Sequence, residues 1–369
     1  MDAHDIRFME HALALARKGI GLASPNPSVG CVIVREGQIV GEGFHQYEWR
    51  DHAEIVALKS AGEKARGATL YVSLEPCNHT GRTGPCSEVI IAAGIHRVVA
   101  AMVDPNPVTS GRGFARLRAA NVEVACGVLE EDARRLNEAF ACWIRSKKPL
   151  VTLKSALTLD GQLALPQGKK GRTSAWVTSE ESRADVHRMR HASDALLTGI
   201  GTILADDPLL TDRSGLPRRR RLLRVVLDTK LRLPPRSRIV QTADDDLLVF
   251  TAVSLSGAKA RKLQTKGVEL VRAPARRGRM DLSAVLAELG RREVLSVLLE
   301  AGPTLNGAAL SAGLVHKLRL FYAPKLAGDN GVPFAHMPTV AHSPLPNLRV
   351  EQFGPDVALE AYLHDVYRA

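Results

Sequence analysis

The chain has 369 residues, enough for two domains of ordinary size, and its 45% hydrophobic and 24% charged residues fall in the globular range. No apolar stretch approaches the roughly 18 residues that a membrane span needs, which removes a spanning helix from consideration. The net charge of +11 is unevenly shared, since residues 1–148 hold 18 Lys+Arg against 17 Asp+Glu and residues 149–369 hold 32 against 22. A basic field of this kind suits nucleic acid, a dinucleotide or a phosphorylated small substrate equally well, so charge alone does not choose among them.

At the N-terminus Ile6, Met9, Leu13 and Ala16 follow helical spacing among Asp2, Asp5 and Glu10. This predicts a helix over 5–18 in place of a signal-peptide block, and a cytoplasmic protein. Apolar strands follow at 29–35 and 38–44, then helix and strand alternate to about residue 125, which predicts a layered α/β sheet. A last helix, EEDARRLNEAFACWI, runs into Arg145, Lys147, Lys148 and Pro149, after which the strand pattern LVTLKSALTLDG begins. The expected domains are therefore 1–146 and 149–369. The second is again α/β, with strands near 150–156, 194–199, 222–227, 247–250, 268–271, 294–299 and 316–323. The run Arg218 to Arg221 beside Pro217 reads as a solvated turn. Five cysteines in a long chain argue against a disulfide framework, and Cys31, Cys126 and Cys142 read as plain buried thiols.

His52, Cys77 and Cys86 are different. A catalytic zinc site takes three N or S ligands and leaves a fourth position for water. The segment DHAEIVALKSA reads as a helix with His52 and Glu54 in its first turn, and LYVSLEPCNHTGRTGPCSEVIIAAG as strand, loop and second helix. Helix N-termini favour thiolate ligands by their positive dipole end. Hydrolytic deamination also needs a group that moves protons between water and the leaving amine, and the carboxylate of Glu54 can do so. His-x-Glu followed by Pro-Cys-x-x-Cys is the zinc deaminase signature, with the Glu as general acid/base. Here eight residues separate the cysteines instead of two. Either Cys86 closes the site across the longer loop or His79 does so; Cys86 is favoured, because it follows Pro85 and opens the next helix. A purely structural zinc module would want four closed ligands and would leave Glu54 unexplained.

On these motifs the sequence resembles the cytidine deaminase-like superfamily, and more closely the bifunctional deaminase-reductase family of riboflavin biosynthesis. The resemblance rests on PNPSVGCVIV (25–34), GFH (43–45), HAE (52–54) and EPCNHTGRTGPC (75–86), then on LTLDG (157–161), WVTS (176–179), ADDPLLT (205–211) and LLEAGPTLNGAAL (298–310). It implies a cytidine deaminase-like α/β/α domain followed by a dihydrofolate reductase-like α/β domain. The implied reactions are zinc-dependent deamination of 2,5-diamino-6-ribosylamino-4(3H)-pyrimidinone 5′-phosphate, then reduction of the ribose to ribityl with NADPH. It further implies NADPH contacts at Ala156, Trp176, Thr202, Asp206, Thr229, Gly302, Pro303, Thr304, Leu305, Asn306, Gly307 and Ala308. Substrate contacts are implied at Ser174, Arg190, Leu210, Arg213 and Glu300, with Arg190 and Arg213 pairing the phosphate. Asn26 and His45 are weaker substrate candidates. The Gly-Pro turn before a helix at 304 aims backbone N–H groups at an anion, whereas GIGTIL (199–204) lacks the third glycine of a Rossmann fingerprint. The resemblance also implies a homodimer joined through the reductase domains.

Two rival readings are a nucleic-acid-editing deaminase and a non-enzymatic zinc protein. The first is disfavoured because single-strand binding uses aromatics interleaved with Lys and Arg, whereas aromatics make up only 4% of the chain and no RNP-like or Gly-Arg string occurs. The second would show zinc-dependent folding without turnover.

Overall fold

The computed structural model describes residues 2–79, 84–164, 176–337, 345 and 348–367. The chain divides into two compact units, residues 1–147 with 217–220, and 148–216 with 221–368. No helix among the described residues is long and apolar enough to cross a membrane.

In the first unit α1 (Ala3–Lys18) starts where the Asp2 carboxylate accepts the His4 N–H, and buries Phe8, Met9, Ala12, Leu13, Leu15 and Ala16. Its sheet has the order β2-β1-β3-β4-β5, from β1 (Gly30–Arg35), β2 (Gln38–Phe44), β3 (Thr69–Val72), β4 (Arg97–Ala100) and β5 (Glu123–Cys126). β1 is antiparallel to β2 and β3, while β3, β4 and β5 run parallel. The helices α2 (Ala53–Ala61), α3 (Cys86–Ala92), α4 (Arg112–Ala119) and α5 (Glu130–Ser146) complete the unit. Gly43 brings α2 directly onto β2: a Cβ there would stand 2.8 Å from the Ala53 carbonyl oxygen. This close approach fixes where α2 begins, and hence where His52 and Glu54 stand.

Two expectations are corrected in this unit. Cys126 is exposed, because it ends β5, the last strand of the sheet, whereas Cys31 and Cys142 are buried. The basic run is no mere solvated turn either. The guanidinium of Arg219 lies 3.7 Å from the Tyr47 ring centroid, donates to Glu48 Oε1 at 2.6 Å and to the Ser24 carbonyl at 3.0 Å. A planar guanidinium can stack and donate at once, which the sequence run alone does not reveal.

The second unit is built on a nine-stranded sheet of order β11-β10-β9-β8-β14-β6-β15-β18-β17. Its strands are β6 (Leu150–Thr158), β8 (Ala195–Gly199), β9 (Leu223–Leu227), β10 (Leu247–Thr251), β11 (Val268–Arg272), β14 (Ser296–Leu299), β15 (Lys317–Ala323), β17 (Arg349–Phe353) and β18 (Asp356–Tyr362). Small ladders join β7 (Gln162–Ala164) to β16 (Val332–Pro333) and β12 (Ala275–Arg276) to β13 (Arg279–Met280). From β11 to β15 the pairing is parallel, and the strands are apolar runs because both faces are covered. Val151, Leu153, Leu197, Val225, Val297 and Leu299 fill one core, and Leu196, Val226, Leu247 and Val249 a second. The helices are α6 (Glu180–Ala192), α7 (Ile200–Asp206), α8 (Arg238–Gln241), α9 (Ala258–Gln264), α10 (Leu282–Arg291) and α11 (Pro303–Ser311). The sequence reading stopped at 323 and missed β17 and β18. These pair antiparallel at the sheet edge, and β17 is mostly exposed, so it carries charged residues instead of an apolar run.

Candidate active sites

In the first unit His52 is the N-cap of α2, Glu54 lies in its first turn, and Cys86 opens α3 after Pro85. Cys77 follows β3 on a short loop, where Cys86 N–H points at its Sγ over 3.4 Å and Ser87 N–H donates to its carbonyl at 3.1 Å. His52 Nδ1 stands 3.2 Å from Cys86 Sγ and 3.5 Å from Cys77 Sγ. The three ligand atoms lie within 4.8 Å of one another, and no other such group occurs among the described residues. Zinc bonds of about 2.0 Å to nitrogen and 2.3 Å to sulfur at tetrahedral angles put N and S roughly 3.5 Å apart, so the set fits the ion. His79 is exposed and stands outside this cluster, its Nδ1 3.3 Å from Thr109 Oγ1.

The proton chemistry points the same way. Hydrogen bonding from Cys86, and then from His52, holds the Cys77 thiol down at about 4 against its burial. The bond to Cys77 drives His52 up to about 9 against burial, while the same sulfur and burial raise Cys86. Two sulfurs and a nitrogen thus share protons in a small space, which a divalent cation displaces on binding. Glu54 is only 3% exposed, and burial pushes its carboxyl up although His52 opposes the shift. The His45 ring lies edge-on to that of His52, centroids 5.4 Å apart, and its Nδ1 is 2.9 Å from the Asp51 carbonyl, which makes that nitrogen the donor. His45 Nε2 then accepts from Asn26 Nδ2 at 3.0 Å, leaving the Asn26 oxygen as an oriented acceptor.

Sequence reasoning missed Glu75. Its carboxylate, 3% exposed, accepts four backbone N–H groups: Gly113 at 2.9 Å and Phe114 at 3.3 Å on Oε1, Gly111 at 2.9 Å and Asp104 at 3.1 Å on Oε2. It thereby ties the loop bearing Cys77 to the start of α4. Gly113 makes this possible, since a Cβ there would fall 1.9 Å from the Pro76 carbonyl oxygen.

In the second unit the expected cofactor residues gather along the C-terminal ends of adjacent parallel strands. Ala156 is near the end of β6, Gly302 and Pro303 open α11 after β14, Thr202 lies in the first turn of α7 after β8, and Thr229 follows β9. Ligands of open α/β sheets bind at such ends. Trp176 is 66% exposed, with the Arg183 guanidinium 5.1 Å from its ring centroid, and Asp206 and Thr304 are exposed as well. Leu305 and Ala308 are half-buried, while Asn306 is buried with Nδ2 donating to the Phe334 carbonyl at 2.9 Å and Gly307 packs against the His336 backbone. These last two hold the 334–336 segment on α11. Ser174 lies outside the described residues.

Of the expected substrate residues, Glu300 directly follows β14. Arg190 grips it bidentately, Nε to Oε1 at 2.7 Å and Nη2 to Oε2 at 2.9 Å, with Nη1 on the Thr211 carbonyl at 3.1 Å. Arg190 is thus committed to Glu300, whereas Arg213 is exposed on the same loop as the buried Leu210. Lys154, missed in the sequence, stands 3.7 Å from Glu300 Oε2. Its signal was a lone charge inside the apolar strand LVTLKSALT. Burial would raise the Glu300 carboxyl, yet the charges of Arg190 and Lys154 hold it at about 2, and burial lowers Lys154. The His187 ring adjoins this charge cluster, and its buried Nδ1 has no hydrogen-bond partner.

Comparison with known proteins agrees with both halves. Residues 2–102 match the cytidine and deoxycytidylate deaminase zinc-binding region, and residues 149–359 the RibD C-terminal domain. The chain is 43% identical over 325 residues to the riboflavin biosynthesis protein RibD of Aquifex aeolicus, covering 88% of each chain. It is 41% identical over 373 residues to that of Escherichia coli, covering 96% of this chain and 98% of the other. A solved diaminohydroxyphosphoribosylaminopyrimidine deaminase/5-amino-6-(5-phosphoribosylamino)uracil reductase from Thermotoga maritima superposes with a TM-score of 0.83 at 36% identity, over 97% of this chain and 98% of that one.

Proposed function

The chain belongs to the RibD family of riboflavin biosynthesis proteins, and on that footing we propose which of its residues carry its two reactions. It is a bifunctional enzyme. A cytidine deaminase-like unit deaminates 2,5-diamino-6-ribosylamino-4(3H)-pyrimidinone 5′-phosphate with zinc, and a dihydrofolate reductase-like unit then reduces the ribose with NADPH to give 5-amino-6-(5-phosphoribitylamino)uracil. We assign these to residues 1–146 and 149–369.

The observation that carries the deaminase assignment is the His52, Cys77 and Cys86 cluster with Glu54 buried beside it. When bound, zinc supplies the Lewis acidity that makes water nucleophilic at neutral pH. Glu54 takes a proton from that water, delivers it to the ring nitrogen and assists departure of ammonia. The Asn26 oxygen, fixed through His45, accepts from the polar edge of the pyrimidine. In the reductase unit NADPH would supply the hydride, and the backbone N–H groups at the start of α11 would offer its phosphates an anion site. Glu300, held by Arg190 and Lys154, faces the sugar, and Arg213 pairs the substrate phosphate. A homodimer joined through the reductase units, which the resemblance to the family implies, and a cytoplasmic location complete the proposal.

Metal analysis of Cys86→Ser tests the ligand set. The intact protein is expected to hold one zinc per chain and the variant to lose it while retaining the reductase reaction; undiminished zinc would remove Cys86 from the site.

A further inference from the structure

The reductase unit keeps an arginine in its interior that none of these roles uses. Arg224, in β9, lies on the same strand face as Val226 of the second core, and its side chain is wholly buried. A buried guanidinium is costly unless its hydrogen bonds are made. Nη2 donates to Asp246 Oδ1 at 2.6 Å and to the Thr242 carbonyl at 2.8 Å, and Nη1 to Thr242 Oγ1 at 3.0 Å. The fourth bond leaves this neighbourhood: Nη1 also donates to the Leu209 carbonyl at 3.0 Å.

Leu209 belongs to the loop that carries Leu210 and Arg213. Asp207, the left-handed C-cap of α7, has φ 43, and Leu210 has φ 56, a left-handed value that an apolar L residue adopts only when the surroundings dictate it. The ties are visible. Asp207 Oδ1 accepts the Arg238 N–H at 2.8 Å, Thr211 O accepts from Arg190, and His191 Nδ1 lies 3.2 Å from Asp212 Oδ2. Arg224 is the tie from the core side, attached at the residue just before the left-handed turn. One nitrogen bonds Leu209 and Thr242 while the other holds Asp246, a span that the compact ammonium of a lysine does not match.

We propose that Arg224 is a positioning residue for reduction: through the Leu209 carbonyl it fixes the turn at Leu210, and so the direction in which Arg213 meets the substrate phosphate. This rests on the reading of Arg213 given above.

The test uses the full-length, zinc-loaded enzyme with Arg224→Met and Asp246→Asn combined, so that no unpaired carboxylate is left buried; such exchanges of a buried ion pair are often neutral in stability. The KM for the deaminated ribosylamino intermediate should rise roughly ten-fold or more, the effect of losing a hydrogen bond to a charged group, while kcat, the KM for NADPH and deamination change little. Arg213→Ala should raise the same KM, and adding it to the double variant should give less than the product of the two effects. Arg224→Lys, which keeps the charge beside Asp246, should also raise KM and guards against misfolding of the double variant. If Arg213→Ala raises KM but the Arg224 variants leave it unchanged, or the effects multiply, Arg224 does not position the loop. If Arg213→Ala itself leaves KM unchanged, the substrate reading fails and this inference with it.

Discussion

Replacing Glu75 by glutamine should loosen the deaminase unit far more than a one-atom change suggests. The two carboxylate oxygens each accept two backbone N–H groups, at 2.9 and 3.3 Å on Oε1 and at 2.9 and 3.1 Å on Oε2. A glutamine keeps one oxygen, and its amide NH₂ then faces two N–H donors that have nowhere else to turn. A hydrogen bond to a charged group contributes roughly 1.5–3 kcal/mol, so two lost bonds cost about 3–6 kcal/mol. With a urea slope of roughly 1–3 kcal/mol per molar, the midpoint should fall by about 1 M or more. Because Glu75 precedes Pro76 and Cys77, zinc should also pass to a competing chelator faster. The assay follows residual deaminase activity and zinc content across a urea series, with the reductase transition as internal reference. A midpoint within about 0.2 M of the parent, with unaltered zinc release, would refute the clasp.

The second unit should prefer NADPH to NADH, since residues 149–369 carry 32 Lys+Arg against 22 Asp+Glu and α11 opens on Gly302 and Pro303; equal kcat/KM with the two cofactors would contradict this. Acid should weaken the same unit through His316, whose Nδ1 accepts the Val151 N–H at 3.1 Å and whose imidazole is held at about 4 by burial and by His364. A histidine depressed on folding stabilises above its unfolded value near 6.5, and that contribution is lost as pH falls toward 4. Between pH 7 and pH 5 the loss is roughly 2 kcal/mol, and His316→Gln should flatten that limb of a urea-midpoint profile. An unchanged limb would assign the acid sensitivity to other groups.

The grouping of His52, Cys77 and Cys86 was legible because its members sit in short motifs: His52 and Glu54 two residues apart, Cys77 and Cys86 at the two ends of one loop. Helix starts follow local rules, so the sequence could place them. Glu75 was not legible as a clasp, because its partners at 104–114 are backbone groups with no side-chain signature. Lys154 and Arg224 left a trace, a charge inside an apolar strand, but what each touches depends on strand order, with β14 inserted between β8 and β6. The same holds for Arg190, whose commitment to Glu300 joins residues 110 apart. β17 was missed because an edge strand has little need of the apolar run that marked the buried strands.

The division of labour is tested most directly by Glu54→Gln in the full-length, zinc-loaded enzyme. Ammonia release and NADPH oxidation are followed with two starting materials, the diaminopyrimidine phosphate and its deaminated product. The substitution keeps the side chain's shape and removes its basicity, and a general acid/base group contributes about 10² to 10⁴ in rate. From the diaminopyrimidine the variant should release almost no ammonia and oxidise almost no NADPH. Given the deaminated compound, it should oxidise NADPH at the parent rate with its zinc still bound. Deamination at near the parent rate would give the proton transfer to another group, and loss of reduction from the deaminated compound would contradict two independent active sites.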